Sequence, residues 1–444
     1  MSEQRDEHDG PTKLPAGLRL TRVDPDELPA YLRAVERAFG EDLSDEVLAS
    51  FLEVAEPARF LAVRDELDAI VGTAGSYTFD VAVPGGATAG CAGVTVVGVR
   101  QDHRRRGLLT AMMRQLLYDA RDRQEPFVSL WASEGAIYGR YGFGTAIPLQ
   151  ELQVPRDRLR FRAGSAGRVS GASSVGERGE LPVDAVEVVS AEQALARFPA
   201  IFEQARQRRA GMLSRRGGWW RHLVAHDPRD ERDEGGPRTL AVLEDRGYVS
   251  FRLKPRWDDG LPAGTVAVEE LTAIDPQAEA TLWRFVATTD LAAHILAPAR
   301  PLDDPLPAML VDPMQVRARR FPPVYLRLVD VAAALTTRRY DLLAGDDAPD
   351  RSAELTLEVA DPTLPDQAGR YHLEVAGGAG RCERTDGQPD LVMGTEELAT
   401  VYLGGVSVRT LVAAGRVDER SPGAADRLTR LLATPRAPWQ PSEF

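Results

Sequence analysis

The feature that most constrains the fold is a buried strand that runs through an arginine-rich turn into an amphipathic helix. Residues 94–99 (VTVVGV) are almost continuously apolar, which predicts a strand buried on both faces. After four intervening residues comes Arg104-Arg105-Arg106-Gly107, and a helix follows at once. Its apolar side chains share one stripe: Leu108, Leu109, Met112, Met113, Leu116, Leu117 and Ala120. With a further strand at 127–131 and a short helix around 137–141, this region is an α/β unit.

The turn between strand and helix predicts an anion site. The first N–H groups of a helix lack partners within the helix, and the helix dipole adds partial positive charge at that end. Gly107 lets the backbone approach a phosphate without a Cβ, and Arg104, Arg105 and Arg106 supply charge for a diphosphate. The alternative is an ordinary solvated basic loop at a strand–helix junction.

This turn resembles the acetyl-CoA motif of the GCN5-related N-acetyltransferases, Arg/Gln-x-x-Gly-x-Gly/Ala. Arg104, Gly107 and Leu109 stand at its defined positions. Leu109 departs from the usual Gly or Ala, so contact there is expected from the backbone, with the side chain turned to the core. The resemblance implies that Leu108 and Leu109 lie beside the pyrophosphate, and that the strand edge at Val97 and Val99 aligns the pantetheine arm.

A second match to the same superfamily lies about 30 residues downstream, in Tyr138–Phe143 (YGRYGF). It resembles the Tyr-x-x-x-Gly-Phe segment that follows the fifth strand. A departing thiolate needs a proton, and a phenol with a pKa near 10 can supply one, so Tyr138 is the candidate general acid. The alternative is a half-buried packing tyrosine, and that reading applies more strongly to Tyr141.

The chain is long enough for several domains. Its 444 residues predict two to four domains at roughly 100–200 residues each. Breaks at a Gly/Ser-rich stretch (162–180), a charged loop (227–238) and a proline-rich segment (298–313) suggest the limits. The predicted parts are a disordered tail (1–17), a catalytic domain (18–155), a second domain (156–325) and a third (326–444).

The second and third parts differ from the first in chemistry. Residues 266–287 repeat the strand–turn–helix rhythm, but Asp275 and Glu279 stand where the first domain has arginines and glycine, and carboxylates would repel a diphosphate. We therefore predict a degenerate second copy that cannot hold coenzyme A. Strands at 354–359 and 371–375 followed by helices predict an α+β third domain, which looks like a sterol-carrier-protein module.

Two transferase-type folds followed by such a module resemble the Eis (enhanced intracellular survival) family of actinobacterial acetyltransferases, over about residues 18–444. The resemblance implies acetyl-CoA as donor and several acetylation positions on polycationic amines such as aminoglycosides, polyamines or lysine side chains. It also implies a homohexamer built as a dimer of trimers.

The family resemblance assigns further site residues. It implies that the terminal carboxylate of Phe444 enters the active site and assists deprotonation of the amine. A carboxylate with a pKa near 3.5 is ionised at neutral pH and can accept that proton, although most C-termini are simply frayed. Ser133 and Glu134 match residues near the cofactor; either could instead cap the short helix that bears Tyr138.

Composition excludes several classes of protein. The net charge of −13 is the wrong sign for general nucleic-acid binding. Two cysteines far apart give neither a disulfide framework nor a thiolate metal site, and we predict no metal. With no apolar run of membrane length and no signal peptide, we expect a cytoplasmic protein. Two alternatives to the enzyme stay open: a lipid or sterol carrier, and a non-catalytic acetyl-CoA-sensing assembly protein.

Overall fold

The fold is described here from a computed structural model. It describes residues 14–40, 43–162, 183–340 and 353–444. Most of the predicted N-terminal tail, and the predicted Gly/Ser-rich linker after Arg162, lie outside the described residues.

The described residues form nineteen strands and ten α-helices. The strands are β1 Arg19–Arg22, β2 Leu61–Arg64, β3 Ile70–Ala82, β4 Thr88–Val99, β5 Phe127–Trp131, β6 Gly144–Pro155, β7 Val186–Val189, β8 Thr239–Leu243, β9 Gly247–Lys254, β10 Trp257–Asp258, β11 Leu261–Pro262, β12 Gly264–Ala273, β13 Ala292–Pro301, β14 Arg317–Leu328, β15 Ala353–Ala360, β16 Gly369–Ala376, β17 Ala379–Arg384, β18 Leu391–Gly394 and β19 Asp418–Glu419. The α-helices are α1 Leu28–Phe39, α2 Asp45–Leu52, α3 Leu108–Asp122, α4 Ala191–Arg206, α5 Pro276–Ala287, α6 Leu306–Met309, α7 Val331–Thr337, α8 Thr395–Tyr402, α9 Val408–Ala413 and α10 Ala424–Leu432.

One mixed sheet of twelve strands runs through both transferase-like parts of the described chain. Its order is β1-β2-β3-β4-β5-β14-β6-β13-β12-β9-β8-β7. Strand β14 lies between β5 and β6 and is antiparallel to both, so a segment after residue 316 completes the first fold. The predicted domain limit at 325/326 therefore falls inside a strand. Residue composition could not predict that β14 belongs to the first fold, because the position of β14 depends on pairing between segments that are far apart in the sequence.

The strand predicted at 94–99 forms the end of β4, but its predicted burial on both faces is wrong. Val94 is 3 % exposed, whereas residues 95–99 are all partly exposed. They lie where β4 leaves its neighbour and borders a cavity. Continuous apolarity here reflects an apolar cavity wall as well as the core.

The third part is an α+β unit that packs against the first fold. Its mixed sheet has the order β17-β16-β15-β18-β19, and α8 lies on β6 and β14. The contact is close: a Cβ built on Gly144 would lie 2.2 Å from the carbonyl oxygen of Glu396. The fully buried Arg327 of β14 also forms an ion pair with Asp361 of the third part. The predicted mixed α/β architecture with an α+β third unit is confirmed.

Candidate active site

The site begins where two parallel strands separate. Pairing between β4 and β5 runs from Cys91↔Phe127 to Val94↔Leu130 and stops there. On the other side of β4 the register with β3 shifts, and Val96 takes a φ of 50°, which is rare for a β-branched residue. This bulge bends β4 away from β5 and opens a wedge in the sheet.

The N-terminus of α3 faces this wedge and has the geometry of an anion site. Gly107 precedes the helix with a φ of 84°, and no side chain of the described residues caps the first turn. A Cβ added at Gly107 would meet no atom within 4 Å, so it would project into open space. The N–H groups of the first turn are thus available to an anion.

A cavity of about 610 Å³ lies between the helix terminus and the separated strands. The predicted residues that line it are Val97, Val99, Arg104, Arg105, Gly107, Leu108, Leu109, Ser133, Glu134 and Tyr138. We call this the donor cavity. Arg106 is exposed and does not line it. Leu109 packs partly on the core but also borders the cavity, whereas Leu108 is the residue buried beneath the turn.

Tyr138 combines burial with a free hydroxyl. Its side chain borders the donor cavity, yet the residue is only 7 % exposed. Burial raises the pKa of Tyr138, and Glu134 and Tyr141 add to that rise. No hydrogen-bond partner of its hydroxyl is found among the described residues, whereas the Tyr141 hydroxyl lies 3.1 Å from Thr110 Oγ1. Tyr141 thus has a structural partner, and Tyr138 is available to a bound molecule.

The C-terminus of the chain lies beside the strand separation. Thr95 Oγ1 donates a hydrogen bond of 3.3 Å to an oxygen of Phe444. The Phe444 ring packs against Phe79, with 5.1 Å between ring centroids. The structure therefore brings Phe444 to the residue that follows the last β4–β5 pair.

A second cavity, of about 640 Å³, lies where the tail, the second fold and β14 meet, and sequence reasoning missed it. Aromatic side chains form much of its wall: Trp131, Phe198, Trp220, Tyr248 and Phe321. We call it the tail cavity, because Pro441, Ser442 and Glu443 also line it. Its residues come from many distant segments, so no local pattern could have revealed it.

The carboxylates of the tail cavity are mostly paired. Glu270 binds Arg215 at 2.7 Å, Glu269 binds Arg238 at 2.6 Å, and Glu151 lies 3.3 Å from Arg319. Glu443 has no ion-pair partner among the described residues. Unpaired negative charge in this cavity is therefore concentrated at the end of the tail.

The corresponding turn of the second fold is occupied by its own side chains. Asp275 caps α5 by accepting hydrogen bonds from the N–H groups of Gln277 and Ala278. Its carboxylate also binds Arg246 at 2.8 Å. The helix terminus that would meet a diphosphate is thus already filled by a carboxylate.

Two searches of the described residues bear on metal and membrane binding. No cluster of three or more histidine, cysteine, aspartate or glutamate side chains in that part of the chain is arranged to hold a metal. Among the described helices, none has the length and apolarity needed to cross a bilayer.

Three family descriptions match successive parts of the chain. Residues 19–146 and 211–328 each match an acetyltransferase (GNAT) domain, and residues 331–441 match a sterol carrier protein domain. The folds predicted for the three parts are therefore confirmed.

Relatives match this chain over most of its length. An uncharacterised N-acetyltransferase of Streptomyces avermitilis is 40 % identical over 381 residues, which is 85 % of this chain and 87 % of that one. N-acetyltransferase Eis of Mycobacterium bovis is 31 % identical and spans 92 % of this chain and 95 % of its own. The crystal structure of Eis1 from Mycobacterium abscessus superposes with a TM-score of 0.77 at 29 % identity, over 96 % of this chain and all of that one. The chain belongs to the Eis family of N-acetyltransferases.

Proposed function

We propose that this protein transfers the acetyl group of acetyl-CoA to primary amines of polycationic acceptors, at a single site in the first fold. The observation that carries the proposal is the convergence of three features at the separation of β4 and β5. These are an uncapped helix terminus, the free hydroxyl of Tyr138 and the chain's own terminal carboxylate.

The donor cavity suits an anionic, elongated molecule. Backbone N–H groups at residues 108 and 109 would bind the pyrophosphate, with Arg104 and Arg105 adding charge at the mouth. No strand of the described residues pairs with β4 on the β5 side at Val97 and Val99. The backbone groups of Val97 are therefore left for the pantetheine amides, whereas the Val99 carbonyl oxygen accepts from Arg104 Nε at 3.3 Å. The thioester would then lie at the strand separation, between Tyr138 and Phe444.

The reaction requires the acceptor nitrogen to lose two protons and the coenzyme A thiolate to gain one. The acceptor ammonium loses a proton to the Phe444 carboxylate, directly or through water, and the free amine attacks the thioester carbonyl. A C–N bond forms and the C–S bond breaks. Tyr138 gives its proton to the departing thiolate. The acylated nitrogen then loses its second proton to the Tyr138 phenolate, which leaves a neutral amide, and the proton held by Phe444 passes to solvent.

The tail cavity is the proposed acceptor site. Trp131 lines it and Ser133, two residues along the chain, lines the donor cavity, so the two cavities meet the chain at neighbouring residues just after β5. Glu443 and the Phe444 carboxylate would hold the reacting ammonium, and the net charge of −13 draws cations toward the protein. The arginines paired with the other carboxylates favour an acceptor whose remaining charges lie outside the cavity.

Thiol release from acetyl-CoA, measured across a panel of amines, tests the proposal. The panel contains a polyamine, an aminoglycoside, a lysine peptide and an aromatic monoamine. We expect turnover with the polycations and a large loss of kcat on deletion of Phe444. Tight acetyl-CoA binding without turnover on any amine would favour the sensing alternative, and co-purified lipid without acetyl-CoA affinity would favour the carrier.

Three further expectations stay predictions. They are the domain limit at 155/156, a homohexamer built as a dimer of trimers, and a cytoplasmic location. Light scattering of the purified chain tests the hexamer directly.

A further inference from the structure

The two transferase folds share the same strand separation. In the second fold, parallel pairing of β12 with β13 ends at Ala267↔Leu296, as pairing of β4 with β5 ends at Val94↔Leu130. Four residues past the last pair, the first fold has Gly98 and Glu134, which both line the donor cavity. The second fold has Leu271 and Arg300 at these positions.

Arg300 bridges the separation in the second fold. Its Nη1 donates to the carbonyl oxygen of Leu271 at 2.6 Å, which ties β13 back to β12. The same guanidinium binds Asp304 at 2.5 Å and Glu279 at 2.7 Å, and its side chain is 5 % exposed. The cleft that could hold a pantetheine arm is therefore filled by a fully paired arginine.

Trp439 of the C-terminal tail packs on this arginine. The Trp439 ring lies 5.2 Å from the Arg300 guanidinium carbon, and Trp283 lies 5.5 Å from it. The Trp439 indole donates to the carbonyl oxygen of Ala299 at 2.8 Å. The register of β13 with β6 is interrupted between Ala297 and Arg300, and this irregularity leaves the Ala299 carbonyl free for the tail.

Further contacts hold the chain on both sides of Trp439. Before it, the Ala437 N–H donates to Asp303 at 3.0 Å. After it, Gln440 accepts from the Leu213 N–H at 3.0 Å, and Ser442 accepts from Arg215 at 2.8 Å. The tail is therefore held along most of its path to Phe444.

We propose that the second fold is the docking site of the chain's own C-terminal tail, and that Trp439 and Arg300 are positioning residues for the Phe444 carboxylate. The inference rests on the proposed role of Phe444. On this proposal the second fold binds the C-terminal tail instead of an acetyl donor. It affects the reaction in the first fold through the last five residues of the chain.

A double-variant kinetic experiment tests the coupling. Trp439→Ala is expected to lower kcat by about 10- to 100-fold, because a displacement of about 1 Å in a reacting group costs that much, with the Kd of acetyl-CoA unchanged. In a chain lacking Phe444, the same substitution should cause no further loss, because Trp439 acts through Phe444. Trp439→Phe, which keeps an aromatic ring against Arg300, should recover most of kcat.

Carboxypeptidase digestion tests docking without reference to catalysis. Trp439→Ala should speed the release of Phe444, whereas Trp257→Ala should not, because Trp257 is 61 % exposed on the β10–β11 hairpin. If Trp439→Ala does not fold, Asp303→Ala at the surface replaces it, and a faster release of Phe444 is again expected.

The outcomes separate the two proposals. Equal losses of kcat from Trp439→Ala with and without Phe444, or an unchanged release of Phe444, would overturn the docking role. An unchanged kcat after deletion of Phe444 alone would instead overturn the proposed role of the carboxylate, while the digestion result would still decide docking.

Discussion

At the scale of single residues, the proposed chemistry depends on how burial changes the pKa of the Tyr138 phenol. The phenol is 7 % exposed, and burial raises its pKa above the ordinary value of 10.0. It therefore stays protonated across the neutral and mildly alkaline range. A thiol has a lower pKa, about 8.5, so the proposed proton transfer to the coenzyme A thiolate is coupled to cleavage of the C–S bond and is not driven by the basicity of the thiolate alone.

Replacement of this hydroxyl gives the first prediction. Tyr138→Phe should lower kcat by about 10²-fold, because a positioned general acid contributes that much. The KM for acetyl-CoA should not change, since the ring still packs against Phe143 and Tyr325. Steady-state thiol release measures both, with Tyr118→Phe on helix α3 as the control. Wild-type kcat in Tyr138→Phe would remove Tyr138 from the acid role.

Glu279, beside Arg300, gives a prediction on pH. Desolvation by burial, with Asp304 adding, raises its pKa from 4.5 to about 7. Between those values the folded chain binds more protons than the unfolded chain. Protonation of Glu279 therefore stabilises the folded state. This stabilisation is complete below pH 4.5, the pKa in the unfolded chain, and it is lost as the pH rises through about 7, the pKa in the folded chain.

The comparison of wild type with Glu279→Gln isolates this effect. Urea unfolding at about pH 5 and about pH 8 should show that wild type loses more stability than the variant as pH rises. Equal losses in the two proteins would show that Glu279 does not titrate in this range.

At the scale of elements, the turn before α3 is the proposed binding site of the donor pyrophosphate. Gly107 takes a left-handed φ of 84° and its missing Cβ leaves the space beside the first turn open. A side chain here would both strain the backbone and enter the donor cavity. The turn thus requires glycine for two separate reasons.

A matched pair of glycine substitutions separates these reasons. Gly415, after α9, also has a left-handed φ of 70° and open space around it, but it lies in the third part. Gly107→Ala and Gly415→Ala should each cost about 1–2 kcal/mol of stability. Only Gly107→Ala should also weaken acetyl-CoA binding, as measured by calorimetry. Equal donor affinity in the two variants would contradict the placement of the pyrophosphate at α3.

The same elements show how far the sequence could lead. The strand, basic turn and helix of the donor cavity are contiguous in the chain, so pattern and spacing predicted them and Tyr138. The tail cavity and the Arg300 bridge depend on which strands pair, and β14 enters the first fold from a point far along the chain. Local residue patterns do not show which distant strands pair, so the tail cavity and the contacts of Arg300 could be identified only from the structure.

At the scale of the whole molecule, the third part packs against the segment of the first fold that carries Tyr138. Arg327, in the strand that completes the first fold, pairs with Asp361 of the third part, and both side chains are fully buried. A Cβ added at Gly142, just after the Tyr138 turn, would lie 2.9 Å from the Arg327 guanidinium. The ion pair therefore connects the third part with the segment that carries Tyr138.

Loss of this pair gives a stability prediction. Asp361→Asn should cost about 3–5 kcal/mol, because it leaves the buried Arg327 charge without its partner. Asp418→Asn removes an exposed partner of Arg420, 3.0 Å away, and should cost at most about 1 kcal/mol. Chemical unfolding of both variants measures the difference, and similar small losses would show that the buried pair does not hold the parts together.

The central claim is that the first of two transferase folds alone binds the donor. Isothermal titration with acetyl-CoA tests it most directly, because the stoichiometry counts the sites. The structure predicts one acetyl-CoA per chain, with affinity weakened by Gly107→Ala and unchanged by Trp439→Ala. Two molecules per chain, or no binding at all, would contradict it.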